Sequence, residues 1–335
     1  MNISFSGLEE WEKNIIKEKL QGHNIRFLDV PITNEIASEI SDSEIIGVFI
    51  YSKIDRETID KLPNLKAVMA MSTGYDHIDI EYCKEKNIVV CNVPTYGENT
   101  VAEHTFALIF GLSRKIYPSI KRTREQGSFE TDITLRGFDL KNKTLGVIGY
   151  GNIGRQVVRI GAGLGMNMLI FDSRPNKIDI DAQNSKYVEL DELIKNSDII
   201  TLHIPYFKEN FHYINSERIN MMKQGVYIIN TARGQLIDTD ALIQGLISGK
   251  IAGVGLDVLE EEGFIKEEKQ LLRKEFKESV NYRTILENHQ LMKMDNVLIT
   301  PHNAFNSNEA LKRILDTTID NLNAYLNSSI KNRVN

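Results

Sequence analysis

Between Thr144 and Asp172 the chain reads TLGVIGYGNIGRQVVRIGAGLGMNMLIFD: an apolar run, glycines at 149, 151 and 154, a helical pattern, and a second apolar run closed by an acid. Strand, tight turn, helix and strand make a βαβ unit, which commits its surroundings to a parallel sheet covered by helices. In such a unit the first glycine permits the turn, the second lets the backbone approach a pyrophosphate, and the third lets helix and strand pack closely. The helix N-terminus supplies N–H groups for anionic phosphates. Asp172 lies eighteen positions beyond Gly154, near the place expected for a carboxylate that binds ribose hydroxyls. Gly149, Gly151, Gly154 and Asp172 are therefore expected to hold a dinucleotide. A 2′-phosphate would meet a carboxylate, so NAD is expected, with Arg174 leaving slight room for NADP.

A length of 335 residues is about twice that of a typical domain and predicts two domains, each with an ample core. The formal net charge of −6 speaks against nucleic acid as a partner, because a phosphate-binding surface shows as a basic excess. Cys83 and Cys91 read as buried thiols of a reducing compartment, and no metal site is expected. The N-terminus turns acidic before an apolar segment can form, and the longest apolar helical run, Phe106 to Leu112, is too short for a bilayer. A cytoplasmic protein without membrane contact is the expectation.

The first hundred residues alternate helical patterns with apolar runs at Ile3–Ser6, Ile25–Val30, Ile45–Tyr51, Leu65–Met71 and Ile88–Val93, predicting a smaller parallel α/β domain. Glu98 to Glu125 reads as one long helix, apolar on more than one face around Glu103 to Ser113, which predicts deep burial, a subunit interface, or both. Further strands are predicted at Ile199–Ile204, Gly225–Asn230, Ile251–Leu256 and Asn296–Thr300, with helices near Leu190–Lys195, Asp238–Ser248 and Asn308–Leu326 and a solvated helix within Leu259–Lys277. One domain inserted into the other explains this order: residues 1–100 with 300–335 around 101–299.

Three side chains at predicted strand ends suit an exchange of hydride and proton. Arg233 follows Gly225–Asn230, Glu262 follows Ile251–Leu256, and His302 follows Asn296–Thr300. Strand C-termini point to the crevice where α/β sheets bind ligands. Arginine grips a carboxylate with two parallel hydrogen bonds, histidine can pass a proton near neutral pH, and an adjacent carboxylate holds the imidazolium ready. Backbone N–H groups near Gly74 could hold a small anion. The basic loop Ser52–Arg56, after the third strand, reads as a solvated turn or as the border of a pocket for a bulkier or more acidic substrate.

Taken in order, STGYDHID at Ser72–Asp79, NVPTYGENTVAEH at Asn92–His104, GVIGYGNIG, TLHIP at Thr201–Pro205, INTARGQLID, GVGLDVLEEE and ITPHNAF resemble the D-isomer specific 2-hydroxyacid dehydrogenases along nearly the whole chain. The resemblance implies two doubly wound parallel-sheet domains, a Rossmann NAD-binding domain inserted into a flavodoxin-like substrate domain. It implies Arg233, Glu262 and His302 as the catalytic triad and Asn152, Ile153, Asp172, Ile204, Pro205, Asn210, Thr231, Ala232 and Asp257 as cofactor contacts. Thr73, Gly74 and Tyr96, with Arg233, become the substrate contacts. Tyr96 and the long segment between Asp257 and His302 look most like the D-lactate dehydrogenase branch. Formate dehydrogenases carry Gln in place of Glu262, and phosphite dehydrogenases carry Lys in place of Thr73.

The expectation is thus an NAD-dependent reduction of a small 2-oxo acid, pyruvate first, to its D-2-hydroxy acid by a homodimer. Hydroxypyruvate, phenylpyruvate or 2-oxoisocaproate are the alternative substrates. The rival from another class is an NADH-sensing binding protein, since the C-terminal binding protein corepressors resemble the same pattern.

Overall fold

The computed structural model describes residues 1–174, 184–262 and 281–335. It divides into two compact units, Met1–Tyr96 with Ser307–Asn335, and Gly97–Asn306. The first unit opens with β1 (Asn2–Ser6), α1 (Glu10–Lys19), β2 (Asn24–Leu28), α2 (Asn34–Ala37), β3 (Ile45–Val48), α3 (Arg56–Asp60), β4 (Ala67–Ala70), α4 (Ile80–Glu85) and β5 (Val89–Cys91). Its five strands are all parallel, in the order β2-β1-β3-β4-β5, which is the flavodoxin-like order. Runs such as Ile45–Val48 and Ala67–Ala70 are buried throughout, as a sheet covered on both faces requires.

The second unit follows with α5 (Glu98–Ser113), α6 (Ile116–Glu125), β6 (Thr144–Ile148), α7 (Asn152–Gly163), β7 (Asn167–Phe171), β8 (Ser185–Tyr187), α8 (Leu190–Asn196), β9 (Ile199–Leu202), α9 (Ser216–Met221), β10 (Val226–Asn230), α10 (Thr239–Ile247), β11 (Ile251–Leu256), α11 (Tyr282–Met292) and β12 (Val297–Ile299). Its seven parallel strands run β12-β11-β10-β9-β6-β7-β8, the Rossmann order extended by one strand beyond β11. The chain then re-enters the first unit as α12 (Asn308–Leu326), which packs on β4 and against α1.

The helix expected from Glu98 to Glu125 is two helices. Lys115 adopts a left-handed conformation (φ 53°) and ends the first. Ser113 gives its carbonyl to the Phe138 N–H at 2.8 Å as that later segment crosses the helix end. The signal for the break is Pro118: it falls in the first turn of α6, where a missing N–H costs nothing, instead of inside a continuous helix. The α5 helix is buried along Val101, Ala102, Thr105, Phe106, Leu108, Ile109 and Leu112, between α7 and the strands β10 to β12. No residue of α6 is buried. The helix read within Leu259–Lys277 lies mostly outside the described residues. The short strand β8 and the helix α11 carry patterns too weak to stand out in the sequence.

The β5 edge of the first sheet does not face solvent bare. Residues 332–335 lie antiparallel along it: the Asn92 N–H donates to the Asn332 carbonyl at 3.0 Å and the Val334 N–H to the Val90 carbonyl at 2.9 Å. The Asn335 side chain accepts from the Val90 N–H and donates to the Ile88 carbonyl. An exposed strand edge invites pairing with other chains. Deleting residues 331–335 removes these bonds, and a loss of about 2 to 4 kcal/mol is expected in urea unfolding, with a rise in aggregation, on the basis of roughly 1 kcal/mol per hydrogen bond.

Candidate active site

The glycine turn between β6 and α7 has the form the sequence predicts. Gly149 has φ +98°, and a Cβ there would lie 2.5 Å from the His203 carbonyl oxygen; at Gly154 a Cβ would lie 2.0 Å from the Gly149 oxygen. Both positions must be glycine for the fold itself. Gly151 differs, because a Cβ there meets nothing within 4 Å. It caps α7 without any side-chain hydrogen bond, so the amides of Asn152, Ile153 and Gly154 open the helix toward space that an anion can fill. Asp172 is held beside them: one carboxylate oxygen accepts from the Tyr150 N–H at 2.7 Å and the other from the Arg174 N–H at 2.8 Å. This donor set and its open space fit NAD, with the turn at the pyrophosphate and Asp172 at the ribose.

The next loops sit at the same sheet edge. Ile204 is 2.8 Å from where a Gly149 Cβ would be. The Asn210 side chain is engaged within its own turn, donating to the Pro205 carbonyl at 2.8 Å and accepting from the Phe207 N–H at 2.7 Å. After β10, Asn230 accepts from the Ala232 N–H at 3.0 Å and donates to the Arg233 carbonyl at 2.8 Å. Its wholly buried amide shapes the Thr231–Arg233 turn, and Thr231 meets the Thr105 hydroxyl at 3.1 Å. Asn230 was passed over in the sequence; the signal was an Asn ending a buried strand just before a turn.

Arg233, Glu262 and His302 follow β10, β11 and β12, three neighbouring parallel strands whose final residues Asn230, Leu256 and Ile299 are in register. The turns carrying Arg233 and Glu262 touch through their backbones, since a Cβ on Gly234 would lie 2.0 Å from the Leu259 carbonyl carbon. Glu262 accepts from the Leu259 N–H at 3.3 Å and meets His302 Nδ1 at 2.7 Å. Held through Nδ1, the imidazole presents Nε2 for proton exchange. A guanidinium and an acid–histidine pair on adjacent strand ends can grip a carboxylate and pass one proton.

What aims His302 is Asp257, 1% exposed. The backbone of His302 is left-handed (φ 49°) and its N–H donates to the Asp257 carbonyl at 2.8 Å. The Asp257 carboxylate accepts from the Asn303 and Ala304 amides at 2.8 Å each, from the Thr300 hydroxyl, and faces His104 Nε2 at 3.4 Å. Burial alone would raise the carboxyl's pKa, but the hydrogen bonds from His104, Thr300, Asn303 and Ala304 outweigh it and hold the group below the usual carboxylate range. Read from resemblance as a cofactor contact, Asp257 has a side chain engaged in clamping the His302 loop. His104 and Thr300 were not singled out in the sequence, and only the sheet brings them to Asp257.

Thr73, Gly74 and Tyr96 belong to the first unit, on loops after β4 and β5. Thr73 is exposed and Gly74 half-buried. The Ser52–Arg56 loop is a structural turn: Ser52 joins Ser6 at 3.1 Å and accepts from the Ile32 N–H, Lys53 pairs with Asp55, and the Arg56 guanidinium lies over the Tyr82 ring. Among the described residues no cluster of three or more His, Cys, Asp or Glu could hold a metal ion, and no helix is long and apolar enough to cross a membrane.

Residues 106–304 match the model of the D-isomer specific 2-hydroxyacid dehydrogenase NAD binding domain. The chain belongs to the D-2-hydroxyacid dehydrogenases, NAD-dependent oxidoreductases acting on CH–OH groups. It is similar to the D-lactate dehydrogenase of Aquifex aeolicus, solved with NAD and lactic acid, at a TM-score of 0.86 and 37% identity over 98% of this chain and 96% of that one. A 2-hydroxyacid dehydrogenase homolog of Haemophilus influenzae is 36% identical over 328 residues, 96% of this chain and 95% of the relative. An aromatic 2-oxoacid reductase of Clostridium sporogenes is 37% identical over 320 residues, 93% and 92% of the two chains.

The turn that contacts Gly149 carries His203, whose Nε2 meets Thr201 at 2.9 Å while its buried Nδ1 has no hydrogen-bond partner. Burial lowers its pKa from 6.5 to about 3, so the ring stays neutral in the fold. Unfolded chains take up this proton near pH 6.5 while the fold resists it, so stability is lost as pH falls through that window. Between pH 7 and 5 the loss expected from this group is about 1 to 2 kcal/mol. Urea melts at the two values should show a smaller difference for His203→Asn than for the wild type; equal differences would contradict the assignment.

Proposed function

We propose that the enzyme reduces pyruvate, or a 2-oxo acid near it in size, to the D-2-hydroxy acid. The observation that carries the proposal is the 2.7 Å contact between Glu262 and His302 Nδ1 on a strand end beside the Arg233 turn. Arg233 binds the carboxylate and polarises the keto oxygen, Glu262 keeps His302 protonated, and His302 Nε2 gives its proton to that oxygen. Bound NADH supplies the hydride to C2. In the oxidative direction His302 is the base. Thr73, Gly74 and Tyr96 add substrate contacts, and Asn152, Ile153, Ile204, Pro205, Asn210, Thr231, Ala232 and Asp257 line or shape the cofactor's seat. In this reading residues 97–306 bind the cofactor and the Met1–Tyr96 unit with Ser307–Asn335 binds the acid.

Pyruvate is favoured by the likeness to the Aquifex aeolicus enzyme, and by the local pairing of Lys53 and Arg56, which leaves the loop after β3 without a free cation to attract a second acidic group. A bulkier acid is the second reading, favoured by the likeness to the aromatic 2-oxoacid reductase. The test is NADH oxidation with pyruvate, hydroxypyruvate, 2-oxoisocaproate and phenylpyruvate. Pyruvate is expected to give the highest kcat/KM, and His302→Ala to lower kcat by about 10²- to 10⁴-fold, the scale of a general acid. NADH binding without reduction of any acid would favour an NADH-sensing binding protein instead.

The proposal extends to a cytoplasmic homodimer joined through the region around α6. Ile116, Tyr117, Ile120 and Ile133 are exposed there, and Phe129 is 97% exposed, a concentration of apolar side chains that marks an interaction surface. Sedimentation is expected to give twice the chain mass for the wild type and the single chain mass for Ile120→Asp combined with Phe129→Asp. A wild-type monomer would remove the dimer from the proposal.

A further inference from the structure

We infer that Asn92 and Asn321 are positioning residues for the acid, wiring the Ser72–Gly74 loop to helix α12 so that its amides hold a fixed direction. The inference rests on the proposed role of Thr73 and Gly74 as substrate contacts. Asn321 is 1% exposed and Asn92 7%, and each belongs to a continuous chain of amide hydrogen bonds. Asn332 Nδ2 donates to Asn321 Oδ1 at 2.8 Å, Asn321 Nδ2 to the Asn92 carbonyl at 2.8 Å, and Asn92 Nδ2 to the Thr73 carbonyl at 2.9 Å. The circuit closes where the Asn92 N–H donates to the Asn332 carbonyl at 3.0 Å.

The loop's own groups complete the arrangement. The Thr73 hydroxyl donates to the Val93 carbonyl at 2.8 Å, the Ser72 hydroxyl to the Gly74 carbonyl at 2.6 Å, and the Val93 N–H to the Ser72 carbonyl at 3.1 Å. The acceptors of the turn and the Thr73 hydroxyl proton are therefore engaged from inside. The N–H groups of Thr73 and Gly74 have no partner among the described residues, which makes them the donors left for an anion. Thr73 would then meet the acid through its amide, while its hydroxyl braces the loop. The same helix reaches the second loop, since Arg313 Nε donates to the Tyr96 carbonyl at 2.6 Å.

The Asn321 amide suits its position because it donates through Nδ2 to one neighbour and accepts at Oδ1 from the other, which an apolar side chain cannot do. A buried network loses more when one member is removed than a single bond is worth, because the remaining partners stay unsatisfied. The expected effect falls on acid binding and not on chemistry or the cofactor. Asn92→Ala and Asn321→Ala should each raise the KM for the 2-oxo acid about tenfold, with kcat and the NADH Kd changed less than about twofold. A merely structural role would lower the melting temperature and leave the KM where it was.

Amide hydrogen exchange in the NADH-bound protein, with and without oxamate as a non-reducible isostere of pyruvate, separates the two layers of the argument. Oxamate should slow exchange at Thr73 and Gly74. No slowing in the wild type would end the acid-binding role of the loop, and the inference with it. Slowing in the wild type together with unchanged KM in both folded variants would overturn the inference alone. Should Asn321→Ala melt below the assay temperature, Asn92→Ser, which shortens the side chain beyond reach of the Thr73 carbonyl, carries the same test.

Discussion

The strand-end rim of the larger unit depends on one buried charge. Asp257 sits at the end of β11 with its carboxylate out of water, a costly placement unless every lone pair is met. Here the amides of Asn303 and Ala304, the Thr300 hydroxyl and the His104 ring meet them. That arrangement fixes the path of the chain leaving β12 and forces His302 into a left-handed conformation, held by its own N–H to the Asp257 carbonyl. Glu262 then reaches the imidazole from the turn after β11. The acid–histidine pair is thus oriented by an acid that need not touch the substrate.

The parallel sheet explains why such devices gather in one place. Every strand of the second unit ends at the same edge, so each βα turn delivers its side chains there, whatever its distance along the chain. The glycine turn at residues 149–154, the Ile204 turn, the Arg233 turn and the His302 turn are separated by up to about 150 positions yet lie at one edge of the sheet. Close approach does the rest. Gly149 and Gly234 have no room for a side chain because the backbone of another turn, at His203 and at Leu259, lies against each.

In the small unit the loop after β4 is braced by asparagines and hydroxyls, and the Arg313 guanidinium holds the loop after β5 through the Tyr96 carbonyl. The carbonyls of the Ser72–Gly74 turn are engaged from inside, which leaves the Thr73 and Gly74 amides as its open donors. The residues along β5 complete the circuit, so the segment that covers the sheet edge also steadies the loop beside it.

Most of the fold was legible because its signals are local. Apolar runs of four to seven residues marked eleven of the twelve strands among the described residues, and Gly149, Gly151, Gly154 and Asp172 announced their own turn. Arg233, Glu262 and His302 could be read as strand-end residues, since a parallel sheet sends all strand ends one way. The misses were of another kind. The break at Lys115 had only Pro118 as a local sign and is accompanied by a segment more than twenty positions later meeting the helix end, and β8 is a strand only because β7 lies beside it. Asn230, His104, Thr300, Asn92 and Asn321 are ordinary polar residues in the sequence. Their meaning comes from the partners that the tertiary structure brings to them, and for the buried Asn230, Asn92 and Asn321 no other partner is in reach. The sequence by itself determined the periodicities, the glycine turn and the order of the strands' chemistry. Only the tertiary structure decided which distant atoms satisfy one another, because a hydrogen bond between residues far apart in the chain leaves no local trace.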